Sequence, residues 1–330
     1  MNASDLSEEE SSMGIPVSRR LDFTEIPVID VSELVAGSDD QATIDALGAA
    51  CRDVGFVYIR HHGVPQNLID DFLAVSREFF ARPMDKKKTV VMNERLRGYL
   101  PLGYSSYEGD DNAATSNQEG YWMGVDRAPN SQNRLDGPNV WPEDGEALRS
   151  AMEAYYEAAD SLSGVLQRAL SLALGQEAEF LPNLMNPQQS LLKVNHYPPQ
   201  SNPTTVSNIG VVPHSDEGAF TILWQDDNGG LEIESKSGEW VEAPPIDGTI
   251  VVNLGTAMQI WTNGEFSSTP HRVINRSGAD RYSIPFFTYA RWDAPITPLM
   301  NGAVADPDAE ICEAYQRRHW HHIFPNHAPA

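Results

Sequence analysis

The residues of this chain best suited to chemistry are His214, Asp216 and His271, followed by Arg281 and Ser283. His214 and Asp216 stand two apart in Val211-Val212-Pro213-His214-Ser215-Asp216, so on an extended segment both side chains reach the same face. His271 heads a second strand-like run in Ser268-Thr269-Pro270-His271-Arg272-Val273. Two imidazoles and one carboxylate on one side of a metal suit Fe(II) and leave the other octahedral positions open. Arg281 and Ser283, in Asp280-Arg281-Tyr282-Ser283, repeat the i, i+2 spacing. They would aim a guanidinium fork and a hydroxyl in one direction, a receptor for a carboxylate. A His-x-Asp, a later single His or an Arg-x-Ser is each equally at home in a surface turn. Their order, spacing and β-type setting together carry the inference.

Such side chains need a rigid scaffold, and the chain beyond Ser190 reads as one. Ser190 to Tyr197, Ala219 to Gln225, Leu231 to Glu234, Thr249 to Leu254, His271 to Asn275 and Tyr282 to Tyr289 are short β-type runs. Turn-forming clusters such as Pro198-Pro199, Asp227-Asn228-Gly229-Gly230, Asp247-Gly248 and Ser277-Gly278 separate them. Strands this short and this dense predict a closed or double-sheet β core. Upstream, Ile26 to Val31 and Gly55 to Arg60 read as strands, and Gln41 to Asp53 and the segment from Pro65 to Phe80 read as helices. From Glu146 to about Leu174 the spacing of Leu148, Met152, Tyr155, Ala159, Leu162, Leu166 and Leu170 predicts a long amphipathic helix that braces a sheet and stops at Gly175. A last helix is expected over Ala309 to His321.

With these motifs in place the chain resembles the isopenicillin N synthase-like family of iron- and 2-oxoglutarate-dependent dioxygenases, from Ile26 to about Ile296. The resemblance implies a mainly β fold with flanking α-helices, built on a distorted double-stranded β-helix, a cupin-like jelly roll. It implies one catalytic domain over 25–330: a helix-rich region 25–189 bracing the barrel, a core 190–296 carrying the metal site, and a C-terminal helix and tail over 297–330. Fe(II) would be held by His214, Asp216 and His271, with 2-oxoglutarate and O2 as co-substrates and succinate and CO2 as products. Arg281 and Ser283 match the family's Arg-x-Ser anchor for the far carboxylate of 2-oxoglutarate. Asn195 and Tyr197, in Asn195-His196-Tyr197-Pro198-Pro199, match its Asn-x-Tyr-Pro segment, which helps to hold the same molecule. The implied reaction is oxidation, most simply hydroxylation, of a C–H bond in a small organic molecule. An oxidase or cyclase of the same fold, with Arg281 and Ser283 binding a substrate carboxylate and no 2-oxoglutarate consumed, is the alternative. A non-catalytic binding protein is the alternative from another class, and the complete ligand set speaks against it.

The sequence departs from the family pattern at two places. Gln118 precedes Glu119 where the family has a lysine, and Gly255-Thr256 stands where it has Gly-Asp. Tyr104, Tyr121, Trp122 and Met123 are candidates to line the substrate pocket, and the acidic segment Tyr107 to Asn117 is a candidate lid or a plain loop. His196 should face away from Asn195 and Tyr197 on a strand and is read as structural. His61-His62 and the cluster His319-Trp320-His321-His322 are given no metal role, since adjacent histidines on a strand point to opposite faces and the latter cluster is read as surface or packing. Lys86-Lys87-Lys88, the one basic cluster, is read as a solvated face.

The formal net charge of −24, from 23 basic and 47 acidic residues, argues against nucleic-acid or anionic-membrane partners. No run approaches 18 consecutive apolar residues, and Met1 to Ser12 has no apolar core of a secretory signal. The first 24 residues are polar and acidic, and are expected to be a disordered tail. Cys51 and Cys312 are too few for a disulfide framework and are read as reduced thiols of a cytoplasmic protein. A small-molecule substrate is expected, with the chain a monomer or a weak homo-oligomer.

Overall fold

The computed structural model describes residues 26–103, 116–199, 209–300, 302–303 and 306–324. The expected acidic tail, Tyr104 and most of the segment from Tyr107 to Asn117 therefore lie outside the described residues. The first half of the chain holds β1 (Val28–Asp30), α1 (Ser32–Val35), α2 (Gln41–Asp53), β2 (Phe56–Arg60), α3 (Gln66–Phe80) and α4 (Met84–Lys87). Then come β3 (Gly98–Leu100), β4 (Glu119–Gly124), α5 (Glu146–Ala173) and α6 (Phe180–Met185). The second half holds β5 (Leu191–Tyr197), β6 (Val211–His214), β7 (Phe220–Gln225), β8 (Leu231–Glu234), β9 (Trp240–Glu242) and β10 (Thr249–Leu254). It ends with α7 (Thr256–Trp261), β11 (His271–Val273), β12 (Arg281–Thr288) and α8 (Cys312–Ile323).

The strands form an eight-stranded sheet, β1-β2-β10-β7-β12-β5-β4-β3, and a four-stranded sheet, β6-β11-β8-β9. Apart from the parallel β1–β2 pair, the strands of both sheets pair antiparallel. This is the double-stranded β-helix, with helices flanking it, that the resemblance implied. The region before residue 189 does more than brace it, since β1 to β4 extend the large sheet at both ends.

Period-2 alternation decides what each face of the large sheet does. Val57 and Ile59 of β2, Leu192 and Val194 of β5, Ile222 of β7, Ile250 and Val252 of β10 and Ile284 and Phe286 of β12 pack in one core with the helices. Phe56, Tyr58, Tyr197 and Val251, from the opposite parity, pack with Val211, Leu231, Ile233 and Val273 of the small sheet. α5 presents Leu148, Met152, Tyr155, Ala159, Leu162, Leu166 and Leu170 to the first core, the stripe its sequence spacing predicts. It stops at Gly175, whose φ of +67° lets the Gln176 N–H turn back to the Ser171 carbonyl at 3.0 Å. α2 begins where Asp40 accepts from the Thr43 N–H at 2.9 Å.

Three expectations change. The last helix begins at Cys312 rather than Ala309, and α1, α4, α6, α7, β3, β4, β6 and β9 are elements that the residue pattern alone did not announce. The lysine run is not wholly solvated. Lys86 and Lys88 are exposed, but Lys87 is buried and donates from Nζ to Glu119 Oε2 at 2.7 Å and to the Phe80 carbonyl at 3.0 Å. His61 and His62 lie just past the end of β2 rather than on a strand, with His61 Nδ1 2.8 Å from Asp30. Cys51 and Cys312 are free and buried, and burial pushes both thiols up to about 12. No helix among the described residues is long and apolar enough to cross a membrane.

Candidate metal centre

The triad assembles where the small sheet meets the large one. β6 and β11 pair antiparallel with His271 directly opposite His214, which brings the ring centroids to 4.3 Å. Asp216 lies two residues beyond His214, just past the end of β6. Each of the three offers a ligand atom, and these atoms all lie within 4.8 Å of one another. Among the described residues they are the one such cluster.

The surroundings choose which atoms face the centre. His214 Nδ1 is 2.9 Å from the Val212 carbonyl and His271 Nδ1 is 3.3 Å from the Thr269 carbonyl. A carbonyl accepts only, so both Nδ1 atoms carry the proton and both Nε2 lone pairs are left for a metal. Asp216 Oδ1 faces them, 3.7 Å from His214 Nε2 and 3.8 Å from His271 Nε2. Its Oδ2 is held by the Thr221 hydroxyl and by Asn253 Nδ2, the latter at 2.7 Å. Burial, and after it the neighbouring His271, push the His214 imidazole well below its ordinary value, so it is neutral near pH 7 and able to ligate. Burial opposes the Asp216 carboxylate, but the two imidazoles and the Thr221 and Asn253 donors outweigh it and hold its pKa below the usual range. Two imidazoles and a carboxylate oxygen, each with its second atom already engaged, fit Fe(II).

The Gly255-Thr256 departure costs the site nothing visible. Thr256 donates to the Asp216 carbonyl from its N–H at 2.7 Å and from its hydroxyl at 3.1 Å, tying α7 to the ligand loop. Gly255 cannot be larger, because a Cβ there would sit 2.2 Å from the Gly218 carbonyl oxygen.

A cavity opens from the triad between the sheets. Arg281, Ser283, Asn195 and Tyr197 all line it, brought together by the β5–β12 register, which sets Arg281 opposite Tyr197 and Ser283 opposite Asn195. The Arg281 guanidinium lies 4.7 Å from the Tyr197 ring centre, and Asn195 Nδ2 donates to Ser283 Oγ at 3.2 Å. His196 turns the other way, as its parity requires, and sets its ring nitrogens 2.8 Å from Glu119 and 2.7 Å from Asp280.

Of the pocket candidates among the described residues, only Trp122 reaches the cavity. Tyr121 and Met123 have the opposite parity on β4 and join the helix-side core, where the Tyr121 ring meets Phe79 at 5.0 Å and its hydroxyl donates to the Val140 carbonyl. Tyr104 lies outside the described residues. The lining also includes Lys193 and Glu217, which the sequence reading passed over, Gln118, which it noted only as a departure from the family, His319 and Trp320 of α8, which it placed at the surface or in packing, and Phe324 just past α8. Glu217 Oε1 accepts from Tyr289 and from Trp320 Nε1, both at 2.6 Å, and so docks α8 over the cavity. For Lys193 a signal existed, since it is the one charge in Leu191-Leu192-Lys193-Val194 and shares the parity of Asn195. For the α8 residues there was none.

Residues 26–144 match the family described as the N-terminal region of a non-haem dioxygenase in morphine synthesis, and residues 188–289 match the 2OG-Fe(II) oxygenase superfamily. A homoarginine-6-hydroxylase of Glycine max is 32% identical over 299 residues, which cover 84% of this chain and 89% of that protein. The structure of a full-length Neurospora crassa protein in complex with alpha-KG and thymine superposes with a TM-score of 0.77 at 26% identity, over 90% of this chain and 97% of that one. JOX2 in complex with 2OG, Fe and JA gives a TM-score of 0.76 at 28% identity, over 100% of this chain and 95% of that one. A likeness that runs through both halves of the chain, in sequence and in backbone, and that keeps the metal-binding triad, makes this protein a member of the 2-oxoglutarate–Fe(II) oxygenase superfamily, a dioxygenase that oxidises a small organic molecule.

Proposed function

We propose that Arg281, with Ser283, Asn195 and Tyr197 beside it, binds the carboxylate of 2-oxoglutarate remote from the metal, and that the enzyme hydroxylates a C–H bond of a small molecule seated toward Trp122. The observation that carries this is an unspent donor. Arg281 is fully buried, gives Nε to the Gly229 carbonyl and Nη2 to Gln225 Oε1 at 3.3 Å, and leaves Nη1 without a partner among the described residues. A buried guanidinium nitrogen with no acceptor is costly unless a ligand supplies one, and a carboxylate supplies it in the matching planar geometry. Asn195 Oδ1 is likewise buried and unpartnered in the same cavity.

His214, Asp216 and His271 would hold Fe(II), which with its co-substrates supplies the activation of O2 and the electron transfers. The chain's own part is orientation and dryness. Arg281 fixes one end of the co-substrate, while Val211, Leu223, Leu231 and Val273 wall the space around it with hydrocarbon. Trp122, Phe287, Tyr289 and Phe324 line the region left for the primary substrate. The names of the relatives span homoarginine, thymine and JA, so what they support for this chain is the class, a small molecule, and none of the three in particular.

Arg281→Leu should weaken 2-oxoglutarate binding far more than that of the primary substrate. Truncating one partner of a buried charge pair costs about 2–5 kcal/mol, roughly 30-fold to several thousand-fold in affinity. Arg281→Lys should recover only part, because an ammonium lacks the planar fork. Anaerobic titration of the iron-loaded protein with 2-oxoglutarate measures this directly. Mass spectrometry of small-molecule pools should show a +16 product with succinate formed in step. Product formed with O2 and no succinate would instead favour the oxidase, with Arg281 binding the substrate itself.

A further inference from the structure

The cavity holds a second buried cation. Lys193 stands on β5 with the parity of Asn195 and Tyr197, so it enters the same space. It is 5% exposed, and among the described residues its Nζ meets the Gln118 amide oxygen, at 3.4 Å, and the Trp122 ring, 4.9 Å from the centroid. No carboxylate among the described residues pairs with it. The two that line the cavity are engaged elsewhere, Asp216 in the triad and Glu217 with Tyr289 and Trp320. Beside it, Trp122 Nε1 is buried with no acceptor among the described residues. This corner therefore carries unspent donors on two neighbouring side chains. Gly120 keeps room for the lysine stem, since a Cβ there would lie 2.6 Å from Lys193 Cε.

Lys193 and Arg281 stand at different points of the lining. Arg281 is opposite Tyr197, four residues along β5 from Lys193, which at about 3.3 Å per residue puts the two backbone positions ~13 Å apart. Arg281 stands opposite Tyr197 and two residues from Ser283, whereas Lys193 stands opposite Trp122. What surrounds Lys193 instead is aromatic: Trp122 stacks on Phe287 at 5.6 Å and meets Phe324 edge-on at 6.3 Å, with Tyr289 and Trp320 beyond.

We infer that Lys193, with Trp122 Nε1 beside it, receives a carboxylate on the primary substrate, which is thus a small acid with an apolar or aromatic body. The inference rests on the reading above, in which Arg281 belongs to 2-oxoglutarate. Burial without a counter-charge lowers the Lys193 pKa to about 7, and an anion in the corner would restore the charged form.

The test uses 3-phenylpropionate and its neutral amide, 3-phenylpropionamide, titrated anaerobically by calorimetry into the protein loaded with Fe(II) and 2-oxoglutarate. The acid should bind at least about tenfold more tightly than the amide, as a desolvated charge pair allows. Lys193→Met should erase that preference, Lys193→Arg should keep part of it, and 2-oxoglutarate affinity should be unchanged in both. Lys193→Met should also melt no lower than wild type, because it keeps the stem and removes a lone buried charge. The inference is overturned if the acid does not bind or shows no advantage, if the advantage survives Lys193→Met, or if that variant is destabilised, which would make the lysine a structural ion. Loss of 2-oxoglutarate affinity in Lys193→Met also overturns it, assigning the lysine to the co-substrate. The role of Arg281 is judged separately, by 2-oxoglutarate affinity in its own variants.

Discussion

Asp216 divides one carboxylate between two tasks. Oδ2 is spent on Thr221 and Asn253, which fixes the plane of the group, and Oδ1 is thereby aimed at His214 and His271. Partners of this kind orient a ligand as firmly as the backbone does. Asn253→Leu should therefore weaken Fe(II) binding about 10–100-fold while leaving the triad intact, and His271→Ala should abolish turnover in a protein that still folds. Fe(II) titration of the metal-free variants, beside the far-ultraviolet spectrum, checks both. An Asn253→Leu protein with unchanged iron affinity would mean that Thr221 alone holds the carboxylate.

At the scale of elements, β5 works on two faces at once. One face gives Lys193, Asn195 and Tyr197 to the cavity, and the other gives Leu192, Val194 and His196 to the packing behind it. His196 ties β4 to the start of β12 through Glu119 and Asp280, and its ring stacks on Tyr282 at 4.9 Å. Burial alone would lower its pKa, but the hydrogen bonds to the two carboxylates outweigh that and raise it above the ordinary histidine value. A group whose folded pKa lies above its unfolded one stabilises fully below the unfolded value, near 6.5, and loses that contribution as pH rises through the folded value. Wild type should thus exceed His196→Gln by about 1.5–3 kcal/mol at pH 6, the range for hydrogen bonds to charged groups, with the gap closing at higher pH. Urea unfolding across a pH series measures the gap, and a gap that does not vary with pH would mean that folding leaves the His196 pKa unshifted. Lys87 joins the same network through Glu119, which explains why a residue from a lysine run is buried.

The whole molecule carries a net charge of −24, and like charges at that density repel one another across the surface. Raising the salt from ~0.01 to ~0.15 M shortens the screening length from about 30 to about 8 Å. The melting temperature should rise with it, by roughly 2–4 °C per kcal/mol of repulsion relieved in a chain of this order of size. Calorimetry in NaCl at fixed pH decides this. A fall would show that surface pairs such as Arg168–Asp39 and Arg318–Glu310 matter more than the net charge.

That His214 shares a face with Asp216, and Arg281 with Ser283, was legible in the sequence because each pair is local, whereas His271 joins His214 only through the pairing of β6 with β11. A two-residue spacing on an extended chain settles which side chains share a face before any tertiary contact forms. The long stripe of α5 was legible for the same reason, its period being a property of the helix itself. Tertiary structure decided what lies between the motifs. Tyr121, Trp122 and Met123 look equivalent in sequence, yet only the parity set by pairing Trp122 opposite Lys193 sends one to the cavity and two to the core. Lys87, Lys193 and Glu217 owe their burial to partners far away in the chain, and Trp320 reaches Glu217 only because α8 folds back across 103 residues. A strand pattern limits each side chain to one of two faces, but which strand lies alongside, and in which register, is settled only when the sheets and helices pack together.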